Sequence, residues 1–532
     1  MKQQIIFIFI ISLILGGCGD FLEPKSKSEF VPKDANSMNE LLLGEAYPRN
    51  DVSGLNIFLY LLDDDVAPAP YQEPNTGANA NAWWAPYSWQ SNMYEVMETA
   101  GLTTLNIYKS YYTLILGANA VLDYIVDIND DVNTINSVKA QALALRGYFY
   151  FNLVNIFGAP YNSDKMALGV PLKLNSGIEE SELKRNTVEE VYSQILDDLL
   201  EAERLYQSLP TDQQWQANWR TSLPMVQLLL SRVYLYMEQW EKAATYANNV
   251  IQNGNFRLLD LKTIDFNPDS PSYINYHSYT NSPEVIWVYG NMNDFTNYVY
   301  NASSGKENRP FFRASEELMK SFDETAGDLR KDRYIIRSSY EITNANNEVE
   351  AMPSAFGKVN VSSSRYYQPR GGTGIFSRSF RLSEAYLNFC EANAMLNKAG
   401  NANAGTEALR LLNELRTYRF PSDYQEKNIS DPDELITFIH DERRRELCFE
   451  DHRWFDLRRW GMKEIKHTWF PDATSTIVYT LQENDPGYTL PLPPDALELN
   501  NLLEQNPLAP SPRNGSLTSP IKLDVYLNTE NG

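Results

Sequence analysis

Cysteine is nearly absent: the 532-residue chain has three. No CxxC pair occurs, so neither a disulfide framework nor a thiolate zinc site has its raw material. Histidine is as scarce, with His277, His440, His452 and His467 scattered and none at metal-ligand spacing from a second His. HExxH, GxSxG, a P-loop, the dinucleotide glycine fingerprint and an EF-hand loop are all missing, which leaves no catalytic residue, cofactor or metal ligand to nominate. Excess positive charge is missing too. The chain carries 46 basic and 69 acidic side chains, a net charge of −23. That balance repels nucleic acid and anionic glycans at low salt. No low-complexity linker interrupts residues 37–532, which read as one large domain.

Long apolar runs are also lacking, with one exception at the start. Ile5 to Leu15 is apolar but for Ser12, about half of the ~20 residues that span a bilayer. Lys2 precedes it, and Leu15-Gly16-Gly17-Cys18 follows as a lipobox. Residues 1–17 therefore read as a lipoprotein signal peptide and Cys18 as the lipidated first residue of the mature chain, with an uncleaved anchor helix as the alternative. Acyl chains hold a protein to a membrane at about 0.8 kcal/mol per buried CH₂. Residues 18–36 are polar and form a tether. Cys390 and Cys448 lie among apolar neighbours in predicted helices and are expected to be buried free thiols.

Aromatic residues are abundant: 33 Tyr, 23 Phe and 10 Trp. That is more than a core needs, so some are expected to line a ligand surface. Asp63 to Met97 is rich in Pro, Gly and Asn and reads as a long irregular loop. It carries Trp83, Trp84, Tyr87 and Trp89. Ring faces stack on the C–H faces of sugars, so these four are candidate ligand contacts, with packing of the loop onto the scaffold as the alternative. Tyr289, Tyr298 and Tyr300, in the irregular segment Phe256 to Ile375, are candidates of the same kind. Trp287, inside the strand-like run EVIWVY, is expected in the core. Two charged runs, Asp63-Asp64-Asp65 and Arg330-Lys331-Asp332-Arg333, read as solvated surface, with calcium binding by the first as the alternative.

Helical spacing governs the remainder. Helices are predicted at Ser37 to Pro48, Leu105 to Val126 and Asn136 to Phe157, the last stopped by Gly158-Ala159-Pro160. Another begins at Thr187, where Glu190 completes a capping box. Two more, broken near Gln239, carry Ser231, Tyr234, Ala243, Ala247 and Val250 at the offsets of a tetratricopeptide helix pair. Arg381 to Lys398 with Ala404 to Tyr418 form a looser second pair. The expected architecture is mainly α: helix pairs over 105–255 and 380–461, with loop-rich, little-β ligand-side segments at 63–100 and 256–375.

One stretch organises all of this: Glu442 to Gly461, ERRRELCFEDHRWFDLRRWG. Asp431 caps the helix leading into it and Pro432 suits the first helical position. At 100° per residue, Leu435, Phe438, Ile439, Glu442 and Glu446 share one face. Carboxylates on an apolar face need partners, and Arg453, Arg458 and Arg459 are expected to supply them in a structural ion network. This stretch resembles the signature of the SusD/RagB family of nutrient-binding outer-membrane lipoproteins of Bacteroidetes, with Asp451 where a glycine is common. RLSEAYLNFCEA, TVEEVYSQILDDL and LPLPPDALELN extend the likeness over nearly the whole mature chain. The resemblance implies a non-enzymatic, cell-surface glycan-binding protein, lipid-anchored in the outer membrane through Cys18 and facing the exterior. It also implies a SusC-like TonB-dependent transporter as partner and an oligosaccharide as ligand. A peptide-binding RagB-like role is the alternative, and a surface glycoside hydrolase the remote one.

Overall fold

The computed structural model describes residues 32 to 518, apart from 49–54, 57–58, 69–77, 102–105, 179–181, 268–273, 291–311, 324, 336, 344–348, 356–357, 359–375 and 472–474. The lipobox with Cys18, and Tyr298 and Tyr300, lie outside the described residues.

The chain opens with α1 (Ala35–Glu45), capped by the Asp34 carboxylate. A short strand β1 (Val66–Pro68) is followed by α2 (Ala78–Tyr87) and α3 (Met93–Thr99). These two helices correct the expectation of an irregular loop over 63–97. The residues that argued against helix are accommodated: Pro86 falls next to the last residue of α2, where the helix ends anyway.

The scaffold follows. α4 (Ile107–Tyr124) packs on α5 (Val132–Phe157), α5 on α6 (Val188–Gln207), α6 on α7 (Leu223–Tyr236) and α7 on α8 (Trp240–Ile251). The Thr187–Glu190 capping box forms in both directions, and α5 stops at Gly158 as expected. Close approach explains the small residues. A Cβ on Gly147 of α5 would meet the Leu199 side chain of α6 at 3.0 Å. In the α7–α8 pair, Ser231, Ala243, Ala247 and Val250 are fully buried, and Ser231 Oγ donates to the Ala243 carbonyl at 2.9 Å. A hydroxyl that bonds across a helix crossing satisfies itself without costing separation.

After α8 the chain makes an excursion through strand β2 (Val285–Tyr289), strand β3 (Phe312–Ala314), helix α9 (Glu316–Asp323), the single turn α10 (Arg330–Arg333) and the hairpin β4 (Arg337–Thr343) and β5 (Val349–Ala355). Strand β6 (Arg378–Arg381) returns it to the scaffold, pairing antiparallel with β2. Trp287 in β2 is fully buried. Helix α11 (Leu382–Lys398) then lies against α8, so the row of helices resumes across an insertion of over a hundred residues. α12 (Ala402–Thr417) and α13 (Pro432–Leu447) both pack on α11. α14 (Arg453–Arg459), a three-stranded sheet of β7 (Ile465–Trp469), β8 (Thr476–Leu481) and β9 (Ser516–Thr518), and α15 (Pro494–Leu499) complete the chain. The architecture is mainly helical with small sheets, as expected. Among the described residues no helix is long and apolar enough to cross a membrane. Cys390 and Cys448 are buried free thiols, and burial pushes the Cys448 thiol up to about 12.

Candidate functional site

Helix α13 is amphipathic in an unusual sense: its inward face is both apolar and ionic. Leu435 and Ile439 are buried, and so are Glu442 and Glu446 one and two turns later. Glu446 accepts from Arg419 (2.8 and 3.0 Å), Arg381 (3.1 Å), Arg330 (3.1 Å) and the Tyr334 hydroxyl (3.0 Å). Glu442 accepts from Arg330 at 2.7 Å, from Arg445 at 3.0 Å and from Arg416. Burial by itself would raise the Glu446 carboxyl, but the guanidiniums of Arg419 and Arg381 outweigh it and hold it well below the carboxylate range. Glu442 is lowered in the same way by Arg330 and Arg416. Glu450, against Arg381 and Lys358, sits at about 2. A carboxylate locked in this state has no proton to give, so the cluster is a tie between elements. It joins the excursion (Arg330, Tyr334), β6 (Arg381), the end of α12 (Arg416, Arg419) and α13.

The ion network expected of Glu442 and Glu446 is therefore present, with different cations. Arg453, Arg458 and Arg459 do not reach these glutamates. Arg453 forks onto Asp64 at 2.6 and 2.8 Å. Arg459 pairs with Glu391 and Asp456, and Arg458 donates to the Gly158 carbonyl at the end of α5. The reason is helical direction: α14 is a new helix after the turn at 448–452, and its arginines point to other walls. Both charged runs read as solvated are corrected as well. Arg330 is fully buried at the centre of the network. Asp63 and Asp65 are buried, and Asp64 and Asp65 are the counter-ions of Arg444 and Arg453. The acidic triplet thus staples the segment before β1 onto α13 and α14.

Asp451 takes the tight turn between α13 and α14. Its φ is +62°, the left-handed region that favours Gly and tolerates Asp or Asn. The carboxylate then finds Arg378 at 2.8 Å and the Asn56 amide at 3.3 Å. Burial nevertheless raises its carboxyl above the usual range.

These opposed shifts fix an acid response. The depressed carboxyls of Glu442, Glu446 and Glu450 contribute stability that is complete above pH ~4.5 and is lost as pH falls through their folded values, at about 1.4 kcal/mol per pH unit for each group. The raised carboxyls of Asp63 and Asp451 act oppositely: their strain is relieved by protonation. The melting temperature should therefore be level or slightly higher at pH 5.5 than at 7.5, then fall steeply below pH 4.5. Scanning calorimetry across that range checks it, and a monotonic decline from pH 7.5 would contradict it.

The candidate ligand rings are placed differently from the expectation. Trp83, Tyr87 and Trp89 are 4%, 1% and 3% exposed. Tyr87 and Trp89 stack on the two faces of His467, centroids 4.2 and 4.1 Å away, and the Trp89 indole donates to the Leu62 carbonyl at 3.0 Å. Tyr289 is buried and stacked on Trp287 at 5.0 Å. Their faces are spent on the scaffold, because α2 turns the segment inward as a helix and the sheet of β7 and β8 covers it. Trp84 alone of the described set is half-buried, its indole donating to the Tyr479 hydroxyl at 3.1 Å. The hollow beside Trp89 has room of about 20 Å³, the scale of one water molecule.

Roomier hollows lie on the helical scaffold. One, of about 430 Å³, is lined by Trp240, Trp460 and His440, whose ring stacks on Trp460 at 3.7 Å, together with Lys398, Asp441 and Lys463. A second, of about 400 Å³, is lined by amides, hydroxyls, Trp215 and Arg220, where α1, α5 and the loop between α6 and α7 meet. No spacing rule brings these residues together in sequence, and no local pattern distinguishes the amide-rich loop before α7. Among the described residues no cluster of His, Cys, Asp and Glu could hold a metal.

A helical row resumed across a long insertion and clamped by buried arginine–carboxylate pairs defines a class, and comparison with known proteins agrees. Residues 20–235 match the family described as "Starch-binding associating with outer membrane", SusD-like, and residues 286–508 match the SusD family. This chain belongs to the SusD/RagB family, whose members are binding proteins rather than enzymes. A curated relative, SusD-like protein P2 of Formosa agariphila, is 26% identical over 421 residues, 74% of this chain and 79% of the relative. A SusD superfamily protein of Bacteroides thetaiotaomicron superposes with a TM-score of 0.66 at 22% identity, covering 89% of this chain and all of that one. A laminarin-binding SusD-like protein superposes with a TM-score of 0.61 at 21% identity, covering 90% of this chain and 100% of that one.

Proposed function

We propose that this protein is a glycan receptor of the outer membrane. It is held there by lipid on Cys18, faces the exterior, and passes oligosaccharide to a SusC-like TonB-dependent transporter. The observation that carries this reading is the family match over both halves of the chain, one half under a description that joins starch binding to the outer membrane. A similar fold in a protein described as laminarin-binding supports the ligand class. The lipobox supports the anchor, and the absence of catalytic motifs fits capture without chemistry. Of the expected contact rings, Trp84 keeps an accessible part, and Tyr298 and Tyr300 belong to the same reading. Calorimetric titration of the full chain in detergent with laminarihexaose, maltohexaose and a mixed peptide digest tests it. Saturable heat with a glycan, and no new reducing ends afterwards, is the expected result. Heat with the digest alone would favour the peptide-binding alternative.

A further inference from the structure

No carboxylate lines the 400 Å³ cleft on the scaffold, although the chain as a whole is acidic. Asn36 and Asn39 of α1 and Gln216 of the α6–α7 loop offer amides, which both donate and accept. Arg220 is held by amides instead of an acid, with Nη1 donating to Asn39 Oδ1 at 2.5 Å and, at the limit, to Gln141 Oε1 at 3.4 Å. Trp215 is half-buried and fixed: its indole donates to the Ile286 carbonyl at 3.2 Å, and Phe256 meets the ring edge-on at 4.9 Å.

Ser222 is the independent sign of a missing partner. It stands at the N-cap of α7, where a serine ordinarily accepts from the first turn, yet its side chain makes no capping bond. It is 4% exposed, lines the cleft, and its Oγ has no hydrogen-bond partner. A buried hydroxyl left in that state is costly, and a hydroxyl from a ligand would satisfy it.

We propose that this cleft binds a short, uncharged saccharide, its hydroxyls read by Asn39, Gln216, Arg220 and Ser222 against the ring of Trp215. The volume is in the range of small-molecule pockets. The proposal rests on the glycan-receptor reading and places a binding site on the helical scaffold, away from the segments 63–100 and 256–375. An uncharged ligand follows from a lining in which the one cation, Arg220, is already engaged by the Asn39 and Gln141 amides and the remaining groups are neutral, in a chain whose net charge of −23 repels anions.

The test is fluorine NMR of the full chain in detergent with 5-fluorotryptophan, the Trp215 resonance being assigned by its loss in Trp215→Phe. Titration with laminarihexaose or maltohexaose should move that resonance saturably, and added salt should not reverse the shift. Asn39→Ala, Gln216→Ala and Ser222→Ala should each weaken the response, by about tenfold for the strongest. A Trp215 resonance that stays still while calorimetry registers glycan binding overturns the cleft and leaves the receptor reading standing. No heat with either glycan overturns both. Movement only with trigalacturonate, abolished by salt, overturns the uncharged class.

Discussion

Glu446→Ala is expected to destabilise the protein by about 3–5 kcal/mol, the usual cost of breaking a buried ion pair from one side. The size follows from what is left behind. Arg330, Arg381 and Arg419 all lose a carboxylate partner, and Arg330 and Arg419 are completely buried. A guanidinium does not shed its proton to escape, as its pKa lies too high. Its remaining partners, Asp328 and Glu442 for Arg330 and Glu284 for Arg419, are already engaged in hydrogen bonds. The Tyr334 hydroxyl loses its acceptor as well. Chemical denaturation followed by tryptophan fluorescence measures the loss. Because the network joins the excursion to α12 and α13, the variant should also lose cooperativity, with the excursion opening before the helices. A denaturant midpoint unchanged from the parent's would mean that the arginines find other acceptors.

This network also marks where sequence reading stops. The wheel of α13 placed Glu442 and Glu446 on the inward face, and charge neutrality demanded arginines. Which arginines was not legible, because Arg330 and Arg419 lie 116 and 27 positions from Glu446 and nothing local distinguishes a buried guanidinium from a solvated one. In RKDR the alternation of signs looked like surface, but Arg330 alone turns inward. The same holds for Asp63-Asp64-Asp65: three adjacent carboxylates repel one another in isolation and become a staple when Arg444 and Arg453 arrive from almost 400 positions away. The helices were readable because their determinants are local. Thr187 and Glu190 cap within one turn, and Ser231 and Ala243 set a crossing through two neighbouring helices. The amide-lined cleft depends on three separate elements coming together, and no periodicity announces that.

The aromatic segment 83–89 teaches the converse lesson, and it yields the second large expectation. Trp89→Ala should cost about 3–5 kcal/mol of stability while the folded protein keeps its affinity for glycan. The indole fills a buried site, bonds the Leu62 carbonyl and closes one face of His467. The imidazole is bracketed by Tyr87 on its other face, and its two ring nitrogens lie 2.7 and 2.8 Å from the carbonyls of Tyr87 and Asp63. Removing the indole therefore opens a path for water to a buried histidine and to the acidic triplet behind it. A ligand platform would behave in the opposite way: a ring that stacks on sugar is partly solvated when empty, so its truncation lowers affinity and scarcely moves the melting temperature. Calorimetry in both modes on one sample separates the two. A lowered melting temperature with unchanged affinity identifies Trp89 as core, whereas an unchanged melting temperature with lost affinity would return it to the binding surface. The chain carries more rings than a simple helical core needs. A short helix set apart from the helical row needs rings of its own to be held down, and here the rings of 83–89 anchor the very chain that carries them.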